Sequence, residues 1–299
     1  MSRRVLILGA SGMLGHKLWQ RCRDRFDTWA TVRSAYQDYE RFGLFDPERL
    51  VTDLDITDFD RMAQALAAIR PQVVVNCIGI VKQRPAAQDP IAALTVNALF
   101  PHRLARLCQA AGCRLVHLST DCVFSGKKGM YTETDPSDAQ DLYGRTKLLG
   151  EVDGPGCLTL RSSMVGRELR ATNGLVEWFL SNQKAKVRGF THVVFSGFTT
   201  LAMAGIIADI IEQRPELSGV YHVSSEPLSK YDLLCLLRHA FEADIEIEPY
   251  AHVRENRSLD GSRFRAETGF RPVPWPEMIL QMAHDNTPYN QWRDARHDI

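Results

Sequence analysis

Val5-Leu6-Ile7-Leu8 runs without a break into Gly9-Ala10-Ser11-Gly12-Met13-Leu14-Gly15. So short and continuously apolar a run reads as a strand buried on both faces, which a parallel sheet covered by helices provides. Residues 16–22 then resume as a helix. Glycines spaced GxxGxxG between strand and helix form a dinucleotide-binding turn. They allow the reversal, let the backbone approach a pyrophosphate, and leave that anion at a helix N-terminus. Gly9, Ser11, Gly12, Met13, Leu14 and Gly15 are therefore expected cofactor contacts.

The same grammar recurs downstream. A strand over residues 28–32 ends in Arg33-Ser34, where a cofactor without a 2′-phosphate usually meets an acid. A guanidinium suits a phosphate instead, so NADPH is expected in preference to NADH. Residues 36–49 read as a polar and aromatic loop. Asp55 and Ile56 follow a strand end and are placed to contact an adenine, with capping of helix 59–69 as the other role open to Asp55. Val73-Val74-Val75-Asn76 is a buried strand whose end, Cys77-Ile78-Gly79, lies where ligands of open α/β sheets collect. Helix 91–111 carries Asn97 among apolar residues, and that amide needs a water or a backbone carbonyl as partner.

Strand 115–118 closes on Ser119 and Thr120, and after a Gly/Lys/Asp/Pro-rich loop a helix opens on Tyr143-Gly-Arg-Thr-Lys147. Tyr143 and Lys147 are four residues apart and share one helix face. An ammonium beside a phenol should lower its pKa and make it a usable proton donor, with the Thr120 hydroxyl holding the same carbonyl. Asp153-Gly-Pro-Gly156 cuts that helix to about three turns from Asp141. With a strand at 158–160 the alternation reaches at least six strands. The expected fold is α/β, a Rossmann-type doubly wound parallel sheet.

Beyond Gly166 the rhythm breaks. Helices are expected at 174–183, 201–212 (capped by Thr199 or Thr200), 229–241 and, last, 276–283, with strands at 219–223 and 245–249. The strand at 219–223 would return to the first sheet. Residues 1–166 with about 199–224 would thus form the dinucleotide domain, and about 167–198 with 225–299 a smaller C-terminal α/β substrate domain.

Lysines and arginines balance acids, 36 against 36, so no basic field is available for nucleic acid. Seven scattered cysteines, mostly in apolar runs, read as reduced core residues without a zinc pattern. No signal peptide and no run of membrane-spanning length is seen, and a cytoplasmic location without a membrane partner is expected.

Gly9/Gly12/Gly15, Thr120 and Tyr143-xxx-Lys147 together resemble the extended short-chain dehydrogenase/reductases. Ser119-Thr-Asp-Cys-Val-Phe-Ser-Gly126, Tyr131-Thr-Glu133 and Tyr143-Gly-Arg-Thr-Lys-Leu148 are similar to the dTDP-4-dehydrorhamnose reductases, which reduce a nucleotide-linked keto-sugar. The resemblance implies that Tyr143 protonates the nascent alkoxide, Thr120 binds the same oxygen, and Lys147 binds the nicotinamide ribose. It also implies that Asn97 supports Lys147 through water. Asp121, Cys122 and Met164 would border the sugar, and Arg188 and Arg257 would meet a nucleoside diphosphate. Cys122 stands where the family usually has Tyr, and Met164 where it has Trp, which implies a different or bulkier, N-acetylated, hexose. Family dimers pair the helices holding Asn97 and Tyr143; the short second helix argues against that homodimer here. Two other readings stand beside the reductase: a nucleotide-sugar epimerase, and a non-enzymatic dinucleotide-binding subunit like the beta subunit of methionine adenosyltransferase.

Overall fold

A computed structural model describes residues 2–82, 85–170, 172 and 174–294. The chain opens with β1 (Arg4–Leu8), α1 (Gly15–Cys22), β2 (Asp27–Thr31), α2 (Gln37–Glu40), β3 (Leu50–Val51), α3 (Phe59–Ile69) and β4 (Val73–Asn76). A long helix follows in three contiguous parts: α4 (Pro90–Ala93), a π-helical stretch Leu94–Leu99, and α5 (Phe100–Ala111). Then come β5 (Arg114–Thr120), α6 (Leu142–Leu149), β6 (Cys157–Ser162), β7 (Met164–Val165), α7 (Leu175–Leu180), β8 (Lys186–Phe195), β9 (Phe198–Thr199) and α8 (Thr200–Gln213). The remainder is β10 (Gly219–His222), β11 (Leu228–Ser229), α9 (Lys230–Ala240), β12 (Glu246–Asn256), α10 (Ser262–Thr268), α11 (Trp275–Ala283) and α12 (Tyr289–Asp294).

Seven parallel strands form the main sheet in the order β10-β6-β5-β4-β1-β2-β3. The order reverses between β1 and β4, which opens a crevice beyond their carboxyl ends. β1 and β4 are apolar on both faces because helices cover both: Val5 and Ile7 join the core on one side, Leu6 and Leu8 on the other. Each such buried Val, Leu or Ile contributes roughly 1.5–3 kcal/mol. A second sheet, β11-β8-β12, carries α9 against it and shares a continuous core with the first.

Helix ends follow local chemistry. Asp58 caps α3 by accepting from the Arg61 N–H at 3.0 Å, and Thr199 caps α8 by accepting from Ala202 at 3.2 Å. Gly112, at φ +68°, ends α5.

Four sequence expectations are corrected. Residues 36–49 are not a plain loop: α2 forms there and Tyr39, Phe42, Leu44 and Phe45 are buried, because aromatic side chains so close to Trp19 and Trp292 find partners. The strand expected at 245–249 runs on to Asn256; Pro249 is tolerated since β12 is an edge strand of its sheet. Helix α10 lacked a strong apolar period, and α11 is followed by α12. Helix α6 stops at Leu149 after about two turns, because Gly150 packs directly on the Asn97 carbonyl.

The tail beyond α11 acts as a strap across the start of α1. Asp285 and Thr287 bind the Lys17 ammonium, and the Tyr289 hydroxyl meets His16 Nε2 at 2.6 Å. Trp292 packs edge-on to Phe42, and Arg293 ion-pairs Glu177 at 2.5 Å. Burial holds His16 neutral, its pKa lowered to about 3. Residues 295–299 of that tail lie outside the described residues.

Candidate active site

The crevice at the strand-order reversal is a cavity of about 800 Å³. Gly9, Ser11, Gly12 and Met13 form its floor, Arg33, Asp55 and Ile56 one end, and Cys77, Ile78 and Gly79 the far side. Gly9 sits at φ +76°, and a Cβ there would lie 2.8 Å from the Ile78 side chain, so only glycine fits. Gly15 and Leu14 do not face the cavity. Gly15 lets α1 pack on the Gly9 carbonyl, and Leu14 is buried in the core. Arg33 is exposed at the mouth and makes no ion pair among the described residues. Asp55 accepts from the Thr57 N–H and hydroxyl, 2.9 and 2.7 Å, which lowers its pKa; it caps this turn, while Asp58 caps the helix. Two contributors had no sequence signal: Tyr39, and the Glu168–Leu169–Arg170 segment that forms the opposite wall. The strap holds that segment, for Arg293 donates to the Glu168 carbonyl at 3.0 Å.

Beyond the cavity, β5 ends in Thr120 and α6 carries Tyr143 in its first turn. Asp141 caps α6 by accepting from the Gly144 N–H at 2.7 Å, and Gly144 presses against the Cys122 carbonyl. That contact fixes Tyr143 near the Thr120 hydroxyl, whose influence favours the phenolate. Lys147 is buried one turn on and donates to the Leu118 carbonyl at 2.6 Å. The expected lowering of the Tyr143 pKa by Lys147 does not occur. Burial is the largest influence and raises it, the Cys122 thiol and the Asp121 and Asp141 carboxylates add to that, and Thr120 opposes them. The ammonium spends its bond on backbone rather than on the phenol. Tyr143 is therefore protonated at neutral pH, the state a proton donor needs. Burial lowers Lys147 itself to about 8, with Glu151 opposing.

Asn97 sits in the π-helical stretch and satisfies its amide on backbone: Nδ2 donates to the Ile80 carbonyl at 3.0 Å and Oδ1 accepts from the Ile80 N–H at 2.9 Å. It thereby fixes the loop after Gly79 rather than touching Lys147. Under the catalytic strand lies a buried ion pair. Arg161 grips Glu151 through both carboxylate oxygens, at 2.8 and 2.7 Å, and the Ser119 hydroxyl donates to Glu151 at 2.6 Å.

The remaining candidates divide. Asp121 is buried, its pKa raised by that burial, and accepts from Thr120 at 3.1 Å. Cys122, pushed up to about 12 by burial, adjoins Tyr143. Arg257 reaches this corner: its Nε donates to the Phe124 carbonyl at 2.9 Å and it pairs with Glu255 at 2.6 Å. Met164, half-buried in β7, pairs with Phe198 and packs against the core. Arg188 is not brought to the corner. It is exposed, stacked 4.9 Å from the Tyr250 ring, seven residues before the end of β8, or about 20 Å along the strand. Lys186 is likewise spent on Glu246, at 3.1 Å. Lys230, unforeseen, enters the corner instead, its charge felt by Asp121 and Cys122.

Residues 3–287 match the family described as the RmlD substrate binding domain. The chain belongs to that family. Among curated relatives, the probable low-salt glycan biosynthesis reductase of Haloferax volcanii is 30% identical, over 89% of this chain and 92% of that protein. Mouse methionine adenosyltransferase 2 subunit beta is 29% identical, over 93% of this chain and 89% of its own length. Among solved structures, the dTDP-4-dehydrorhamnose reductase of Bacillus anthracis, in complex with NADP, superposes with a TM-score of 0.78 at 22% identity, covering 94% of this chain and 99% of that one. At that identity the likeness concerns the fold, and it agrees with the doubly wound sheet. No described helix is long and apolar enough to cross a membrane, and no described His/Cys/Asp/Glu group could hold a metal.

Proposed function

We propose that the chain is an NADPH-dependent ketoreductase acting on the 4-keto group of a dTDP- or UDP-linked 4-keto-6-deoxyhexose, in polysaccharide precursor synthesis. The observation that carries this is the convergence of a protonated Tyr143, the Thr120 hydroxyl and a buried Lys147 next to a glycine-floored cleft. The reductase relatives support it.

The cleft fits a dinucleotide: Gly9, at φ +76° and packed against Ile78, holds the tight turn between β1 and α1, and Arg33 offers an uncommitted guanidinium at the mouth. The turn at Gly9–Gly12 would hold the pyrophosphate, Asp55 and Ile56 the adenosine, and Arg33 the 2′-phosphate. Bound there, NADPH supplies the hydride that reduces the carbonyl carbon. Thr120 and Tyr143 bind the carbonyl oxygen, and Tyr143 gives it the phenolic proton as the carbon–oxygen double bond becomes an alcohol. The ammonium of Lys147, one helical turn on, would stabilise the phenolate that this leaves on Tyr143. Asp121 and Cys122 border the sugar. A homodimer through the helices that hold Asn97 and Tyr143 is compatible with Leu99, at the end of the π-helical stretch, and Leu149, at the end of α6, which are 53% and 59% exposed.

The test is NADPH oxidation, followed by absorbance, with a panel of dTDP- and UDP-linked 4-keto-6-deoxyhexoses. Turnover with one member is expected, and Tyr143→Phe should lower it by about 10²-fold or more while NADPH binding persists. Full activity in that variant sinks the proton-donor role. The similarity to methionine adenosyltransferase 2 subunit beta supports a second reading, a dinucleotide-binding partner subunit. Tight NADPH binding with silence across the panel would favour it.

A further inference from the structure

Lys230 begins α9 directly after β11, whose Ser229 pairs with Val194 and Leu228 with Phe195 at the end of β8. On the other flank of β8, Asn256 pairs with Val194 and the Arg257 N–H donates to the Val194 carbonyl at 2.9 Å. Two cations from distant parts of the chain therefore straddle the end of one strand. Opposite them stands the 121–124 turn, tied in through Arg257 and the Phe124 carbonyl.

The two cations differ in what they are bound to. Arg257 is satisfied by Glu255 and by Phe124. The Lys230 ammonium forms no hydrogen bond or ion pair among the described residues; its close contact is the Phe195 ring, 4.1 Å away. Asp121, the nearest acid by sequence to the proposed proton donor's corner, spends an oxygen on Thr120. Burial works against the Lys230 charge, while the fields of Asp121, Cys122 and Glu255 retain it and Arg257 opposes them. The Lys230 side chain is half-buried, and an ammonium held there against an aromatic ring, with no hydrogen-bonding protein partner among the described residues, has donors left for a ligand to complete. An ammonium has three donors and no acceptor, so its partner must be rich in lone pairs. A methyl or methylene of a deoxysugar cannot serve.

We propose that Lys230 is a specificity-determining residue of the sugar pocket, which receives a carbonyl-type oxygen on the ring: the acyl oxygen of an acylamino group or a carboxylate oxygen. This rests on the ketoreductase reading and refines its substrate.

The experiment compares wild type with Lys230→Met on three UDP-linked 4-keto-hexoses: plain 6-deoxy, 2-acetamido-6-deoxy, and one carrying a C6 carboxylate. The wild type should prefer one acceptor-bearing sugar over the plain one in kcat/KM. Lys230→Met should reduce that preference at least tenfold, chiefly through KM. Loss confined to the acetamido sugar identifies the acyl oxygen, and loss confined to the carboxylate sugar identifies the acid. An unchanged preference overturns the proposal. The melting temperature of ligand-free Lys230→Met should hold or rise, because the thioether keeps the packing on Phe195 without a buried charge; a marked fall makes Lys230 structural and also overturns it. If the wild type reduces no sugar, the ketoreductase reading fails. The melting shift given by each sugar nucleotide then decides: a shift lost in Lys230→Met supports the subsite, and equal shifts reject it.

Discussion

The dinucleotide cleft and the sugar corner adjoin along one sheet edge, yet they are built by opposite means. The floor of the cleft is backbone and small residues, and most of its lining comes from the turns after β1, β2 and β4, each a short stretch of sequence. The corner is assembled from side chains at 120–124, 143, 195, 230 and 255–257, held by buried charges and single hydrogen bonds. A backbone cradle tolerates change in side chains but not in glycines. A side-chain corner inherits the sensitivity of every ion pair beneath it.

The hardest test of that contrast is Glu151→Ala. Arg161 and Glu151 are each only 8% exposed, and the substitution would leave a buried guanidinium without its carboxylate. Stability should fall by about 3–5 kcal/mol, read from denaturant melts, with the loss reaching Ser119 and the catalytic strand. A loss under about 1 kcal/mol would mean the corner is less dependent on its ion pair than drawn here.

Arg33→Ala probes the cleft at the exposed cation beside Asp55. NADPH affinity should drop by about tenfold or more, the worth of a charge-assisted hydrogen bond, while NADH affinity barely moves. Equal losses for both cofactors would detach Arg33 from the 2′-phosphate.

The mildest effect is a pH limb. Lys147 is lowered to about 8, so it is charged below that pH and neutral above it. With Tyr143 raised above its ordinary value, Tyr143 stays protonated through the same range. The kcat/KM for reduction should thus hold up to about pH 8 and fall beyond it. A profile flat past pH 9 would remove Lys147 from the essential groups.

The cleft was legible because its chemistry is local: Gly9 to Gly15 specify a strand, a turn and a helix within a few residues. The topology of the main sheet followed from apolar runs such as Val73–Asn76, and the return of β10 to it from the short run after Gly219. The corner was half legible. Tyr143 and Lys147 announce themselves by spacing, but the direction of the Tyr143 shift depends on Cys122, Asp121 and Asp141, which only tertiary packing sets around it. Lys230 follows an ordinary Ser229 helix cap and carries no local mark of its position. Arg188, expected to meet a nucleoside diphosphate, is a stacked surface residue, since charge in a sequence does not say which end of a strand it occupies.

The strap has a consequence for the order of folding. Lys17 and His16 lie in the first helix, yet their partners Asp285, Thr287 and Tyr289 are made about 270 residues later, as the separations of 268, 270 and 273 record. A ribosome builds the cradle early and its last fastening near the end. Until residues 285–293 emerge, Lys17 has only the Gln20 side chain and His16 only the Gly12 carbonyl as partners, and the Glu168 wall lacks Arg293. The cradle therefore depends for its last fastening on contacts of very long sequence separation, and that corner is expected to be among the later parts to become rigid.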